Sequence, residues 1–182
     1  MKNKQSFCVI SLCLILIASA LVEVQAFDSR HLEKLNATGM CKSCNLIRAN
    51  LAGVNLSNSD LNKVSLIGAD LSNTNFKGAN LNWAVLRMVS LRGSDLSDGK
   101  LIKVNLRKAD LTGANLSQAN LSGAYFSNGD LSGANLSGAN LTEAELWGTN
   151  LTGANLRNTK LQRTLLSRAN LNGADLRDAN LS

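Results

Sequence analysis

Leu131-Ser132-Gly133-Ala134-Asn135-Leu136-Ser137-Gly138-Ala139-Asn140-Leu141 contains two successive copies of a five-residue unit: a small residue, an amide, a leucine and two variable positions. Outward from it in both directions, Leu or Phe returns every fifth residue from Leu46 to Leu181. That makes 28 hits without an insertion, 26 of them Leu and the others Phe76 and Phe126. The residue two before each of these centres is always small, and is Ala at 15 of the 28. The residue immediately before is Asn or Asp at 20 of the 28. Self-similarity at a fixed period marks a solenoid.

A period of five suits neither an α-helix, where the leucines would spiral around every side, nor a straight strand, where they would alternate faces. A corner in every unit reconciles them: a very short strand with the small residue and the Leu pointing inward, then a turn. Gly53, Gly93, Gly113, Gly133, Gly153 and Gly173 share one phase of a 20-residue period, with Asn73 in the gap. Gly and Asn supply the positive φ that the third residue of a type II turn needs. Twenty residues are four units, so the expected fold is all-β, with four-sided coils stacked about seven deep and roughly 30–35 Å long at the strand spacing. The absence of Pro agrees, because stacked coils need every backbone N–H. Phe126 is oversized for its column, and Gly129 is read as making room for it.

These units resemble the pentapeptide repeat family, whose pattern is A-(N/D)-L-x-x, and the resemblance covers about three-quarters of the chain. It implies a right-handed quadrilateral β-helix. The chain departs from the pattern at the Asn/Asp site at Ser65, Val85, Ser90, Lys100, Tyr125, Glu145, Lys160 and Leu165. These side chains should point outward and leave the fold intact.

Residues 1–26 read as a secretory signal peptide: Lys2 and Lys4, an apolar run from Phe7 to Ala20, then small residues at Val24 and Ala26. Residues 27–43 read as an N-terminal cap and 44–182 as the solenoid. Within the cap, Asp28 to Asn36 suggests a short helix capped by Asp28 or Ser29, with Leu32 and Leu35 lying over the end of the core. Cys41 and Cys44 fall at inward positions, and an exported C-x-x-C pair is expected to form a disulfide. Exported members with an N-terminal C-x-x-C look similar to cyanobacterial ones, which implies a periplasm or thylakoid lumen, with secretion as the remaining possibility.

With His31 as its single histidine, the chain offers no His-based triad, and no cofactor or metal site is expected. The Asp residues, among them Asp70, Asp110 and Asp130, read as substitutes for Asn rather than as a calcium ladder. The reading is of a non-enzymatic scaffold without a membrane span once the signal is removed. Charge supplies the only positional hint. Loss of the signal leaves 17 basic and 12 acidic residues, net +5. The sides are named here by their first leucines, Leu46, Leu51, Leu56 and Leu61. The Leu46 and Leu61 sides carry ten bases against Asp60, Glu143 and Glu145, whereas the other two carry four against seven acids. Exposed apolar groups follow the basic half. The expected binding residues for a protein partner are therefore Trp83, Arg87, Lys103, Arg107, Lys108, Tyr125, Trp147 and Arg168. Some family members mimic DNA and inhibit gyrase, but that role wants an acidic rod in the cytosol and is the disfavoured alternative. Direct nucleic-acid binding conflicts with export. The terminal coil, ending in Leu181-Ser182, suggests a homodimer formed end to end.

Overall fold

Each corner is built alike. The carbonyl of Leu46 accepts from the Ala49 N–H at 3.1 Å, closing a turn whose third residue, Arg48, has φ of 59°. Every fifth residue from Ser43 to Asp178 repeats that positive φ, giving 28 corners in the computed structural model, which describes residues 28–182. The signal-peptide reading lies outside the described residues. The corner conformation is therefore not confined to the glycine phase: Lys63, Trp83 and Lys103 adopt it as Gly53 does.

Between corners, each short strand pairs in parallel with the residue 20 further on, from Met40 with Asp60 to Lys160 with Asn180. Four corners per 20 residues make the coil four-sided, and 28 corners make seven coils. Three N–H groups of each unit donate between coils, as Ser65 to Cys44, Leu46 to Ser65 and Arg48 to Ile67. A fourth closes the turn. The inward columns hold the centres and the small residues, with most Leu at 0–2 % exposure and both Phe76 and Phe126 buried. Each buried Leu contributes about 1.5–3 kcal/mol. Most buried hydroxyls of the small column are satisfied by carbonyls, as Thr74 to Leu51 and Thr149 to Phe126, and the Ser59 hydroxyl is the exception among the described residues. The Gly129 expectation needs correction: a Cβ there would meet the carbonyl oxygens of Phe126 and Ala109 at 2.9 and 3.2 Å, not the phenyl ring.

Helix α1, Ser29–Thr38, covers the first coil. Asp28 caps it by accepting from the Arg30 N–H, and Gly39, at φ 65°, ends it. Leu35 is buried and Leu32 packs on the core. The helix also replaces a missing coil in hydrogen-bond terms. In later coils a residue such as Ser65 donates its N–H to the preceding coil and accepts from it. At Asn45 those roles pass to the cap: Asp28 N–H donates to the Asn45 carbonyl at 3.2 Å, and Asn45 N–H donates to His31 Nδ1 at 3.1 Å. Beneath lies the Cys41–Cys44 disulfide, with its cysteines at 0 % and 2 % exposure.

Candidate protein-interaction wall

One N–H per unit remains, that of the first corner residue. The Asn or Asp before each centre takes it: Ile47 N–H donates to Asn45 Oδ1 at 3.2 Å, and Ser117 N–H to Asn115 Oδ1 at 3.2 Å. All 20 such residues make this bond, from Asn45 to Asn180. The preference for Asn or Asp is thus a matter of completing the backbone accounting. On the Leu56 side the amides also bond from coil to coil: Asn115 donates to Asp95, Asn135 to Asn115 and Asn155 to Asn135, at 3.1–3.2 Å.

The eight departures are unevenly placed. Five of them, Ser65, Val85, Tyr125, Glu145 and Leu165, lie on the Leu46 side, and none lies on the Leu56 side. A second local rule fails on the same wall. Eleven residues other than Gly, Asn and Asp hold the positive φ of the third corner position. Ten of them border the Leu46 wall: Ser43, Lys63, Trp83, Lys103, Glu143 and Arg163 at one edge, and Arg48, Met88, Lys108 and Arg168 at the other. Gln118 is the exception. A left-handed conformation costs such residues roughly 1–2 kcal/mol each.

All eight residues expected from the sequence fall on this wall or its edges. Tyr125 stands in the middle. Arg87, Met88, Arg107, Lys108, Trp147 and Arg168 line one edge, and Trp83 and Lys103 stack at the other. Three cations lie over aromatic rings: Lys103 over Trp83 at 4.8 Å, Arg107 over Tyr125 at 4.3 Å and Arg168 over Trp147 at 5.4 Å. Arg107 also pairs with Glu145 at 3.0 Å. Of the six large hydrophobic residues exposed among the described residues, four belong here: Trp83, Met88, Trp147 and Leu165.

The charges differ in their partners as well as in their number. Arg48, Lys63, Arg87, Lys103, Lys108 and Arg168 have no carboxylate within 4.0 Å among the described residues. On the opposite half, Lys77, Arg92 and Arg177 are each paired, and only Arg157 has no carboxylate within 4.0 Å among the described residues. Carboxylates there are held by their own surroundings. The Ser72 hydroxyl and N–H lower the Asp70 pKa. Burial opposes the charge of Asp110 and Asp130, but hydrogen bonds from Thr112 and Ser132 outweigh it and leave both lowered. The wall thus offers unpaired cations among apolar groups, while the far half keeps an excess of carboxylates and pairs most of its bases. No group of three or more His, Cys, Asp or Glu side chains placed to hold a metal occurs among the described residues.

Sequence reading spread these residues over two sides and missed the two broken rules. Sorting the eight departures and the bulky corner residues by side would have exposed both.

A seven-coil, four-sided β-solenoid with one wall released from its repeat pattern defines a repeat scaffold whose chemistry lies on its outer surface. Models for pentapeptide repeats, in eight copies, match residues 119–158 and 149–182, and a model for the pentapeptide repeat region matches 40–116. The chain belongs to the pentapeptide repeat family. Among solved structures it is similar to HetL, a pentapeptide repeat protein involved in heterocyst differentiation regulation from the cyanobacterium Nostoc sp. strain PCC 7120. That match has 30 % identity over 79 % of this chain and 81 % of the other, with a TM-score of 0.45. A variant of QnrB1, a plasmid-mediated fluoroquinolone resistance protein, matches at 22 % identity over 80 % of this chain and 83 % of its own, with a TM-score of 0.50. A pentapeptide repeat protein from the Arabidopsis thaliana thylakoid lumen is 31 % identical over 68 % of this chain and 70 % of that one, with a TM-score of 0.26. No curated protein matches the chain.

Proposed function

We propose that this protein is an exported, non-enzymatic scaffold that binds a protein partner through its Leu46 wall, with the family's right-handed coil. One observation carries the reading: the wall gives up both local rules that stabilise the other walls, at five Asn/Asp sites and ten corners. Locally unfavourable choices concentrate at functional sites, where something other than stability selects the residue. Export to a periplasm or thylakoid lumen rests on the signal-like residues 1–26 and is supported by a disulfide, which persists in oxidising compartments. Nucleic acid is not the expected partner.

A photo-crosslinking residue placed at Tyr125, with a matched one at Asn135 on the Leu56 wall, tests the reading in the source cells after fractionation. Protein adducts from position 125 alone, in an exported fraction, are expected. Equal adducts from both positions, or a cytosolic protein, would overturn it. End-to-end pairing of two copies is a separate part of the proposal. It is supported by the partial exposure of Leu166, Leu171 and Leu176 in the last coil, and a monomeric mass by light scattering at micromolar concentration would remove it.

A further inference from the structure

We infer that the partner presents an amphipathic helix, an apolar stripe bordered on both sides by Asp and Glu, laid lengthwise along the Leu46 wall; this rests on the wall reading above. Backbone chemistry removes the main alternative for a peptide. Strand addition needs a free sheet edge, but the strands of this wall spend their N–H and C=O groups on the coils above and below. Recognition must therefore run through side chains.

Those side chains form a stripe between two rails. Val85, Tyr125 and Leu165 run up the middle, two coils apart each time, with Asn105 and Glu145 between them, the latter neutralised by Arg107 at 3.0 Å. Unpaired cations stand on both edges, Lys63 and Lys103 on one and Arg48, Lys108 and Arg168 on the other. Trp83 and Trp147 sit on opposite rails. Six coil spacings give the wall a length of about 29 Å, which is the length of a helix of about 19 residues. A helix with an apolar stripe flanked by carboxylates matches this pattern in charge, polarity and length. A single nucleic-acid strand matches it less well. Its bases want a continuous track of open ring faces, whereas these rings lie on different columns and each carries a cation of its own.

The chain's only two tryptophans are on this wall, so their fluorescence reports on it. Four synthetic probes lacking Trp and Tyr separate the possibilities: a 20-residue Leu/Ala/Glu peptide with a helical apolar stripe, its scrambled isomer, its Lys-for-Glu counterpart, and a 20-nucleotide thymidine strand. The first should change the fluorescence saturably at micromolar concentration. The double variant Arg107→Glu, Lys108→Glu should weaken it about tenfold or more, a loss of about 1.4 kcal/mol. The double variant Arg92→Glu, Arg177→Glu, on the far half, should leave it unchanged. Equal binding of the scrambled peptide, tighter binding of the nucleotide strand, or a flat titration with the first peptide would each overturn the helix assignment. A flat titration alongside protein adducts from position 125 would remove the helix and leave the wall reading standing.

Discussion

Exchanging one residue between two walls tests whether the outward amides stabilise the coil. Asn115, on the regular Leu56 wall, accepts from the Ser117 N–H and from Asn135 Nδ2, each at 3.2 Å, and donates to Asp95 Oδ1 at 3.1 Å. Asn115→Val removes all three bonds while keeping a side chain of β-preferring shape. Intramolecular hydrogen bonds contribute about 0.5–1.5 kcal/mol each. At the lower end of that range, since the column is half exposed, the loss is about 1.5–2.5 kcal/mol. The reverse change, Val85→Asn on the Leu46 wall, gives the Arg87 N–H an acceptor it lacks among the described residues. It sacrifices only the burial of a half-exposed isopropyl group, so its net effect should lie between zero and about 1 kcal/mol of stabilisation. For a domain of this size 1 kcal/mol moves the melting temperature by about 2–4 °C. Thermal unfolding followed by circular dichroism should therefore show Asn115→Val melting about 3–10 °C lower and Val85→Asn unchanged or slightly higher. Equal destabilisation by both would refute the claim that the wall has given up stabilising bonds.

Two further outcomes follow from the cap and from the acidic half. Replacing His31 with Phe leaves the Asn45 N–H without its acceptor at a cost of about 1–3 kcal/mol, and Leu35→Ala costs about 2–4 kcal/mol by emptying the cap's buried position. Both should hasten reduction of Cys41–Cys44 by dithiothreitol at least tenfold, and an unchanged rate would show that the helix does not guard the disulfide. Asp70, Asp110 and Asp130 have pKa values lowered on folding, and the Arg177 side chain takes Asp175 down to about 2. A lowered folded pKa contributes stability that is complete above the unfolded value near 4 and is lost as pH falls through the folded value. Melting temperature should be flat with respect to these groups above about pH 5 and fall from about pH 4 towards 2. Asp110→Asn with Asp130→Asn should flatten that fall, and a melting temperature that rises on acidification would contradict it.

The core was legible because it depends on short-range repetition. The Leu column, the small column and the 20-residue phase of Gly53, Gly93 and Gly113 specify inward groups and four sides without any long-range knowledge. The Cys41–Cys44 bond followed from the same register, since both cysteines fall at inward positions. The corner conformation was only half legible. Glycine advertises positive φ in one phase, yet stacking imposes it on Trp83, Met88 and Lys108 as well, because each corner must continue the one beneath it. His31 could not be assigned, since its role depends on where a helix of ten residues comes to rest against Asn45. Gly129 was misread because the volume of Phe126 suggested a crowded side chain, when the close neighbours are backbone carbonyls.

A solenoid can tolerate a wall of locally poor choices because its energetics are close to a sum over coils and their neighbours. The inward residues Leu86, Ala84, Leu106 and Val104 are as buried beneath the Leu46 wall as Leu96 and Leu116 are beneath the regular one. The core term is therefore unaffected when Val85 or Tyr125 replaces an amide. What is given up lies outside: one corner hydrogen bond at each of five positions, and the strain of side chains such as Trp83 and Met88 at positive φ. Spread evenly, such losses would read as neutral drift of a tolerant surface. Their concentration on one wall, together with unpaired cations that are more numerous there than on the opposite half, where Arg157 is the one base without a carboxylate within 4.0 Å among the described residues, points to a cause acting on that wall as a unit. The partner binding proposed above would be such a cause, because it rewards the face of a coil rather than its stacking.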